Sequence, residues 1–285
     1  MKIERTLNSS GGLNLKNDGN LELYFLGVGS AFAQKNNQTN FLLIKGDKHV
    51  LVDFGMTGPR SLADAGLKPT DIEVVLPTHS HSDHTGGIEA LALMNRYVGM
   101  RFMGRPKLQM IVDENYQRVL WTHTLQGGLE WNEKDMGTSQ KLSFSDFFDV
   151  IRPSWKSFSP RETFTVDHGD IHIELFRTNH IPEQSSTWEA SFISYGMFVD
   201  DHVFISGDTK FDINLIESYA DRSEIMFHDV QFFPGAVHTP LENLKTLSDD
   251  IKSKMYLMHY ADNYDTQDIS GFAGWAEQGV RYIFD

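Results

Sequence analysis

The chain has 285 residues, 40% hydrophobic and 22% charged, which excludes wholesale disorder and allows a core to be buried without a disulfide. Acidic residues outnumber basic ones 39 to 25, and the formal charge of −14 disfavours a generic nucleic-acid-binding surface of clustered Lys and Arg. Cysteine is absent, which removes disulfide scaffolds, thiolate zinc sites, iron–sulfur clusters and cysteine nucleophiles, so any transition-metal site must draw on the twelve histidines and on carboxylates.

Residues 1–20 are polar and lack an apolar h-region, so they read as a flexible or loosely attached segment rather than a secretory signal. No apolar run approaches the ~20 residues of a membrane helix, and a cytoplasmic protein with no membrane partner is expected. Leu21–Gly27 reads as a strand running into the turn Gly27-Val28-Gly29-Ser30. Residues 40–44 and 49–53 read as a hairpin around Gly46-Asp47, and 60–65 as a short helix ending near Gly66. The β-branched run 72–76 is a buried strand that ends at Pro77. Residues 87–97 have helical periodicity, while 100–103 and 108–112 read as strands.

Residues 113–160 differ in character, with Trp121, Trp131, Trp155, Phe144, Phe147 and Phe148 among Gly, Ser and Asn. A helix over 114–125 is predicted, ended by Gly127-Gly128. The stretch is either an insertion over a site or at a subunit contact, or an aromatic core helix pair. Strands follow at 164–166, 172–176, 191–199, 202–206, 225–230 and Met255–Met258, with helices at 240–251 and 269–278 and a closing strand at 282–284. Strand runs with intervening helices indicate an α/β layered domain over 21–285.

The sharpest feature is His79-Ser80-His81-Ser82-Asp83-His84, directly after a buried strand. His79 and His81 can reach one metal, and Asp83 and His84 a second, with nitrogen and oxygen donors that suit zinc and neighbouring divalent ions. A solvated His-rich loop is disfavoured because His180, Asp208 and His259 each follow a further predicted strand, the edge at which α/β sites form. Trp188 and Tyr260 sit near these residues, as mouth or core side chains equally.

At these residues the chain resembles the metallo-β-lactamase superfamily. The cluster 79–84 matches its H-x-H-x-D-H signature, and Asp53 in Val52-Asp53-Phe54-Gly55 matches the aspartate that braces the ligand loop. The resemblance implies an αββα sandwich with two divalent ions, zinc first and manganese as the alternative. It assigns His79, His81 and His180 to one ion, Asp83, His84 and His259 to the other, and Asp208 to a bridge. Paired cations lower the pKa of a bridging water toward neutrality, so hydroxide is available at pH 7. The resemblance also sets the 79–84 cluster apart from diiron oxygen-reducing relatives, which often place glutamate in it, and this favours hydrolysis over redox chemistry.

Phe227-His228-Asp229-Val230 followed by Gly235-Ala236-Val237-His238-Thr239-Pro240 looks like the tRNA 3′-processing branch of the superfamily. That likeness implies that Asp229 orients His238, and that His238 protonates the leaving oxygen or contacts the phosphate. The catalytic assignment is thus Asp83, Asp229 and His238. No basic Gly- and Pro-rich arm is present, and with the acid excess a small phosphodiester is favoured over extended nucleic acid. The chain is similar to phage anti-Pycsar phosphodiesterases, which implies a cyclic nucleotide substrate and a homodimer in which 113–160 reaches across as a lid. The alternatives are a tRNA 3′-processing endoribonuclease and a lactone, thioester or carboxylic ester hydrolase, which would need no His238. A metal-stabilised scaffold without activity is disfavoured because all seven ligand candidates are present.

Overall fold

A computed structural model describes residues 1–5, 12–133 and 141–284. Residues 6–11 of the expected loose segment and 134–140 of the expected insertion lie outside the described residues.

Among the described residues, two sheets of eight strands each stack through their apolar faces. The first runs Lys2–Arg5, Val280–Phe284, Leu21–Gly27, Asn40–Lys45, Lys48–Val52, Val74–Leu76, Leu108–Ile111 and Phe148–Ile151 in spatial order. The second runs Gly274–Trp275, Met255–Met258, Ile225–Asp229, Val203–Ile205, Tyr195–Val199, Ile171–Arg177, Thr163–His168 and Ser154–Ser157. Each sheet is antiparallel on one side and parallel on the other. Parallel strands require covered faces, and the near-continuous apolar runs at 74–76 and 203–205 are fully buried.

The sheets meet through aromatic rings. Phe25 of the first sheet lies 5.1 Å from Phe227 of the second, and Phe227 lies 5.0 Å from Tyr282. Such edge and tilted contacts add to burial because ring edges are positive and faces negative. On the outer face of the second sheet, helix Ile213–Ala220 inserts Tyr219 between Phe176, Phe198 and Phe204. Together these layers form the metallo-β-lactamase α/β sandwich that the sequence resemblance implies.

Several local expectations are corrected. Residues 100–103 are helical, because helix Ile88–Met94 continues through a π-turn to Met103 and stops at Gly104 with φ 63°. Helix Glu114–Leu120 passes through a π-turn into Gln126–Leu129, so Gly127-Gly128 does not end it. The exposed Glu89 carboxylate lies against Gly128. The helix expected at 240–251 is two short pieces, Leu241–Leu244 and Asp249–Lys252. The one expected at 269–278 is a turn and the short strand Gly274–Trp275, with Gly271 at φ 92° and Gly274 at φ 148°. Lys2–Arg5, inside the polar first segment, pairs antiparallel with Val280–Phe284. Within 113–160, Phe148–Ile151 and Ser154–Ser157 supply an edge strand to each sheet, and Phe144 packs 4.9 Å from Phe148.

One buried base lies in the first sheet. His49 accepts a hydrogen bond at Nε2 from the Glu73 backbone (3.1 Å), and burial pushes its pKa down to about 4. The unfolded chain therefore binds one more proton between pH 6.5 and 4, so stability falls as pH drops through that window. His49→Gln keeps the acceptor without the titration, and should lose about 3 kcal/mol less than the parent between pH 7 and pH 4 in urea unfolding.

Candidate metal centre

The candidate site residues converge at the carboxyl ends of strands. Asp53 follows Lys48–Val52, the 79–84 cluster follows Val74–Leu76, Asp208 follows Val203–Ile205, Asp229 ends Ile225–Asp229, and His259 follows Met255–Met258. At this edge the chain leaves each sheet as loops, and side chains of both sheets can face one point. Among the described residues, three groups have donor atoms that all lie within 4.8 Å of one another: His79, His81, His180 and Asp208; Asp83, His84, Asp208 and His259; and Asp208, Asp229 and His238.

Asp53 organises the first loop. Its backbone sits at φ 57°, a left-handed conformation that aspartate tolerates. Its carboxylate accepts from Thr78 N (2.7 Å), Thr78 Oγ1 (2.8 Å) and His84 Nδ1 (2.7 Å). The Thr78 hydroxyl proton is thus committed to Asp53, so Thr78 Oγ1 accepts from His79 Nδ1 at 3.1 Å. His79 consequently presents Nε2 as a lone pair, and the Asp53 contact at Nδ1 leaves Nε2 as the His84 atom that turns inward. His180 donates from Nδ1 to the Val237 carbonyl (2.9 Å), which frees its Nε2 in the same way. Such outer partners fix ring orientation and tautomer at metal sites. Gly55 is required here, since a Cβ would collide with the Asp83 carbonyl oxygen where the two loops touch.

The inner geometry fits a cation. His81 Nδ1 stands 3.1 Å from both His79 Nε2 and His180 Nε2. A tetrahedral ion with nitrogen ligands at ~2.05 Å has ligand–ligand edges of about 3.3 Å, close to this spacing. Asp208 Oδ2 is buried with no hydrogen-bond partner, yet ring nitrogens stand around it: His84 at 3.2 Å, His259 at 3.6 Å, and His79 and His180 at 3.7 Å. His84 Nε2 is likewise buried and unpartnered, with Asp83 Oδ2 at 3.3 Å. Orphaned acceptors and lone pairs aimed at a shared space are costly unless a cation joins them.

The titration behaviour points the same way. Burial holds His79 and His81 below the usual imidazole range and puts His180 at about 4, so these rings are neutral donors. Burial opposes ionisation of Asp208, but the His259 and His84 rings outweigh it and hold the carboxyl well down. For Asp83 the His84 and His259 rings likewise overcome burial. Burial also works against a charge on His84, yet Asp208, Asp83 and Asp53 push its pKa well up. In the bare protein, protonated His84 thus supplies positive charge that a divalent ion supplies when bound. His/Asp donors of this kind suit divalent metals.

Asp229 lies behind the cluster, and its Oδ2 accepts from His238 Nδ1 at 2.9 Å. His238 opens onto a cleft of about 600 Å³ that His259 also lines. The cleft walls were not foreseen from the sequence: they carry Phe32 and Phe233, which are 91% and 58% exposed. Trp188 is a core side chain against Phe158 (5.1 Å), and Tyr260 is buried with its hydroxyl on the Ala276 carbonyl (2.7 Å). None of the described residues of 113–160 lines this cleft.

A family model described as "Anti-Pycsar protein Apyc1" matches residues 21–282. The chain belongs to this family. It is 34% identical over 265 residues to the anti-Pycsar protein Apyc1 of Bacillus phage BSP38, covering 92% of this chain and 98% of the relative. It is 34% identical over 249 residues to the Apyc1 protein of Paenibacillus sp. (strain J14), covering 86% and 91%. Among solved structures, the metallo-β-lactamase fold protein YhfI of Bacillus subtilis superposes with a TM-score of 0.67 at 16% identity, covering 93% and 99% of the two chains. Human short-form tRNase Z superposes with a TM-score of 0.62 at 14% identity over 93% and 99%. At such identities these structures establish the fold alone.

Two measurements test the centre. Removal of divalent metal from the loaded protein by a chelator should lower Tm by ~5 °C or more, and re-addition should restore it. Asp53→Asn keeps the backbone conformation but places an amide against His84 Nδ1. Metal affinity measured by competition with a chromogenic chelator should fall about 10- to 100-fold.

Proposed function

We propose that the protein is a metal-dependent phosphodiesterase that opens a cyclic nucleotide. Family membership and the donor cluster support a metal-dependent hydrolase, and the anti-Pycsar description of the relatives points to a cyclic nucleotide signal. Two divalent ions, zinc first, fit the two four-donor groups that share Asp208. Bound there, they supply Lewis acidity and a water acidified toward neutral pH.

The observation that carries the phosphodiesterase reading is the His238–Asp229 pair beside that cluster. Asp229 accepts the hydrogen bond of His238 Nδ1–H and leaves Nε2 to face a substrate oxygen. Protonated, Nε2 donates to the phosphate or to the departing ribose oxygen. His238 is held in that state because Asp208 and Asp229 raise its pKa against the effect of burial. A carboxylic ester or lactone, with no second anionic oxygen to neutralise, has less need of this group. Asp83 contributes a carboxylate that His84 and His259 keep ionised, so it serves as a ligand and a counter-charge. The reading extends to a cytoplasmic homodimer, for which light scattering is the check.

The decisive experiment incubates the metal-loaded protein with 3′,5′-cyclic mononucleotides, cyclic dinucleotides, precursor tRNA and a lactone. Cyclic mononucleotides should be converted to linear monophosphates. His238→Ala should lower that rate by about 10²- to 10⁴-fold with metal content unchanged. Cleavage of precursor tRNA alone would overturn the proposal.

A further inference from the structure

The cleft at the metal centre has an unusual wall. Phe32 and Phe233 both line it, together with His238 and His259, and both are exposed. Exposed phenyl rings on floppy loops would carry little meaning, but these two sit on braced turns.

The turn around Phe32 is held from both sides. Ser30 N donates to the Tyr260 carbonyl (3.0 Å), and Gln38 Nε2 donates to the Ala31 carbonyl (2.9 Å). Asp262 then accepts from Gln34 N (3.0 Å) and Lys35 N (2.9 Å), which uses both of its oxygens on backbone. Asp262 itself lines the cleft beside Phe32, with both carboxylate oxygens held by backbone donors of the turn. The turn around Phe233 is fixed as firmly. Gln231 Nε2 donates to the carbonyls of Phe233 (2.9 Å) and Gly235. Its backbone N donates to the Thr239 carbonyl (2.8 Å), and Ala236 N donates to Glu183 Oε1 (3.0 Å). The preceding Phe232, half-buried, also lines the cleft and packs edge-on against Trp275 at 5.9 Å, while Phe233 is exposed.

Resting on the phosphodiesterase reading, we infer that Phe32 and Phe233 form the stacking surface for the nucleobase of the substrate, while His238 and the metal-ligand cluster take its phosphate. The occupant is a base because the aromatic end and the phosphate-handling end belong to one continuous cleft. The ~300–1,000 Å³ typical of ligand sites includes its volume. Stacking on phenyl faces is tolerant of base identity, since every base offers a π-face. The wall therefore selects for the presence of a base more than for which base it is. Gln231 is a positioning residue, since one side chain and its backbone tie the Phe233 turn to the segment bearing His238.

The test uses the metal-loaded full-length protein. Steady-state kinetics of Phe32→Ala and Phe233→Ala are compared on a cyclic mononucleotide and on a base-free 1-O-methylribose 3′,5′-cyclic phosphate. Each variant should raise KM for the nucleotide about tenfold with kcat nearly unchanged, leave KM for the base-free substrate unchanged, and bind metal as the parent does. Phe32→Trp and Phe233→Trp should restore the nucleotide KM, which a merely structural role would not give. An active parent whose alanine variants keep the nucleotide KM, or lose both substrates equally, overturns the stacking wall alone. A parent inactive on every cyclic nucleotide overturns the phosphodiesterase reading and the wall with it.

Discussion

A carboxylate oxygen that is buried, ionised and without a hydrogen bond demands a positive partner, and Asp208 Oδ2 is in that position. The imidazole nitrogens around it stand 3.2–3.7 Å away, an arrangement well placed for a shared cation. Much of the architecture serves that concentration of charge. The aromatic interface of Phe25, Phe227 and Tyr282 fixes the two sheets face to face. The parallel strands then deliver their carboxyl ends to one edge. Thr78 and the Val237 carbonyl turn the His79 and His180 rings so that lone pairs, rather than N–H groups, look inward, while Asp53 orients His84.

The chemistry-bearing residues were largely legible in the chain. The 79–84 cluster declares itself by spacing, and the later candidate donors declare themselves by their common place after apolar runs. The structure brings His79, His81, Asp83, His84, His180, Asp208 and His259 into donor groups sharing Asp208, and sets His238 on Asp229. What the sequence concealed was tertiary. Met100-Arg101-Phe102-Met103 has no period long enough to separate a strand from the last turn of a helix, and the preceding π-turn carries the helix onward. Gly127-Gly128 reads as punctuation, whereas the helix runs on through it to Leu129. Lys2–Arg5 is too short to show alternation, and its register comes from its neighbour Val280–Phe284.

The cleft wall was hidden for a different reason. Phe32 and Phe233 are ordinary residues in a chain with 20 phenylalanines, and nothing local marks a ring that stays in solvent. The brace that makes them meaningful joins distant positions: Asp262 holds the turn of Phe32, and Glu183 the turn after Phe233. The aromatic stretch 113–160 drew attention by composition, yet two of its segments complete the sheet edges through Phe148–Ile151 and Ser154–Ser157. Burial, rather than aromatic content, separates a core ring from a ring available to a ligand.

Each four-donor group draws on both sheets. His79 and His81 come from the first and His180 and Asp208 from the second; Asp83 and His84 come from the first and Asp208 and His259 from the second. Neither half of the chain alone can present a complete coordination shell. The centre is therefore a late-forming, long-range structure, since contacts such as Asp83 with His259 span 176 residues and must wait for the sheets to dock. An ion held across that seam would act as a staple whose main effect is kinetic, slowing the parting of the sheets more than hastening their assembly.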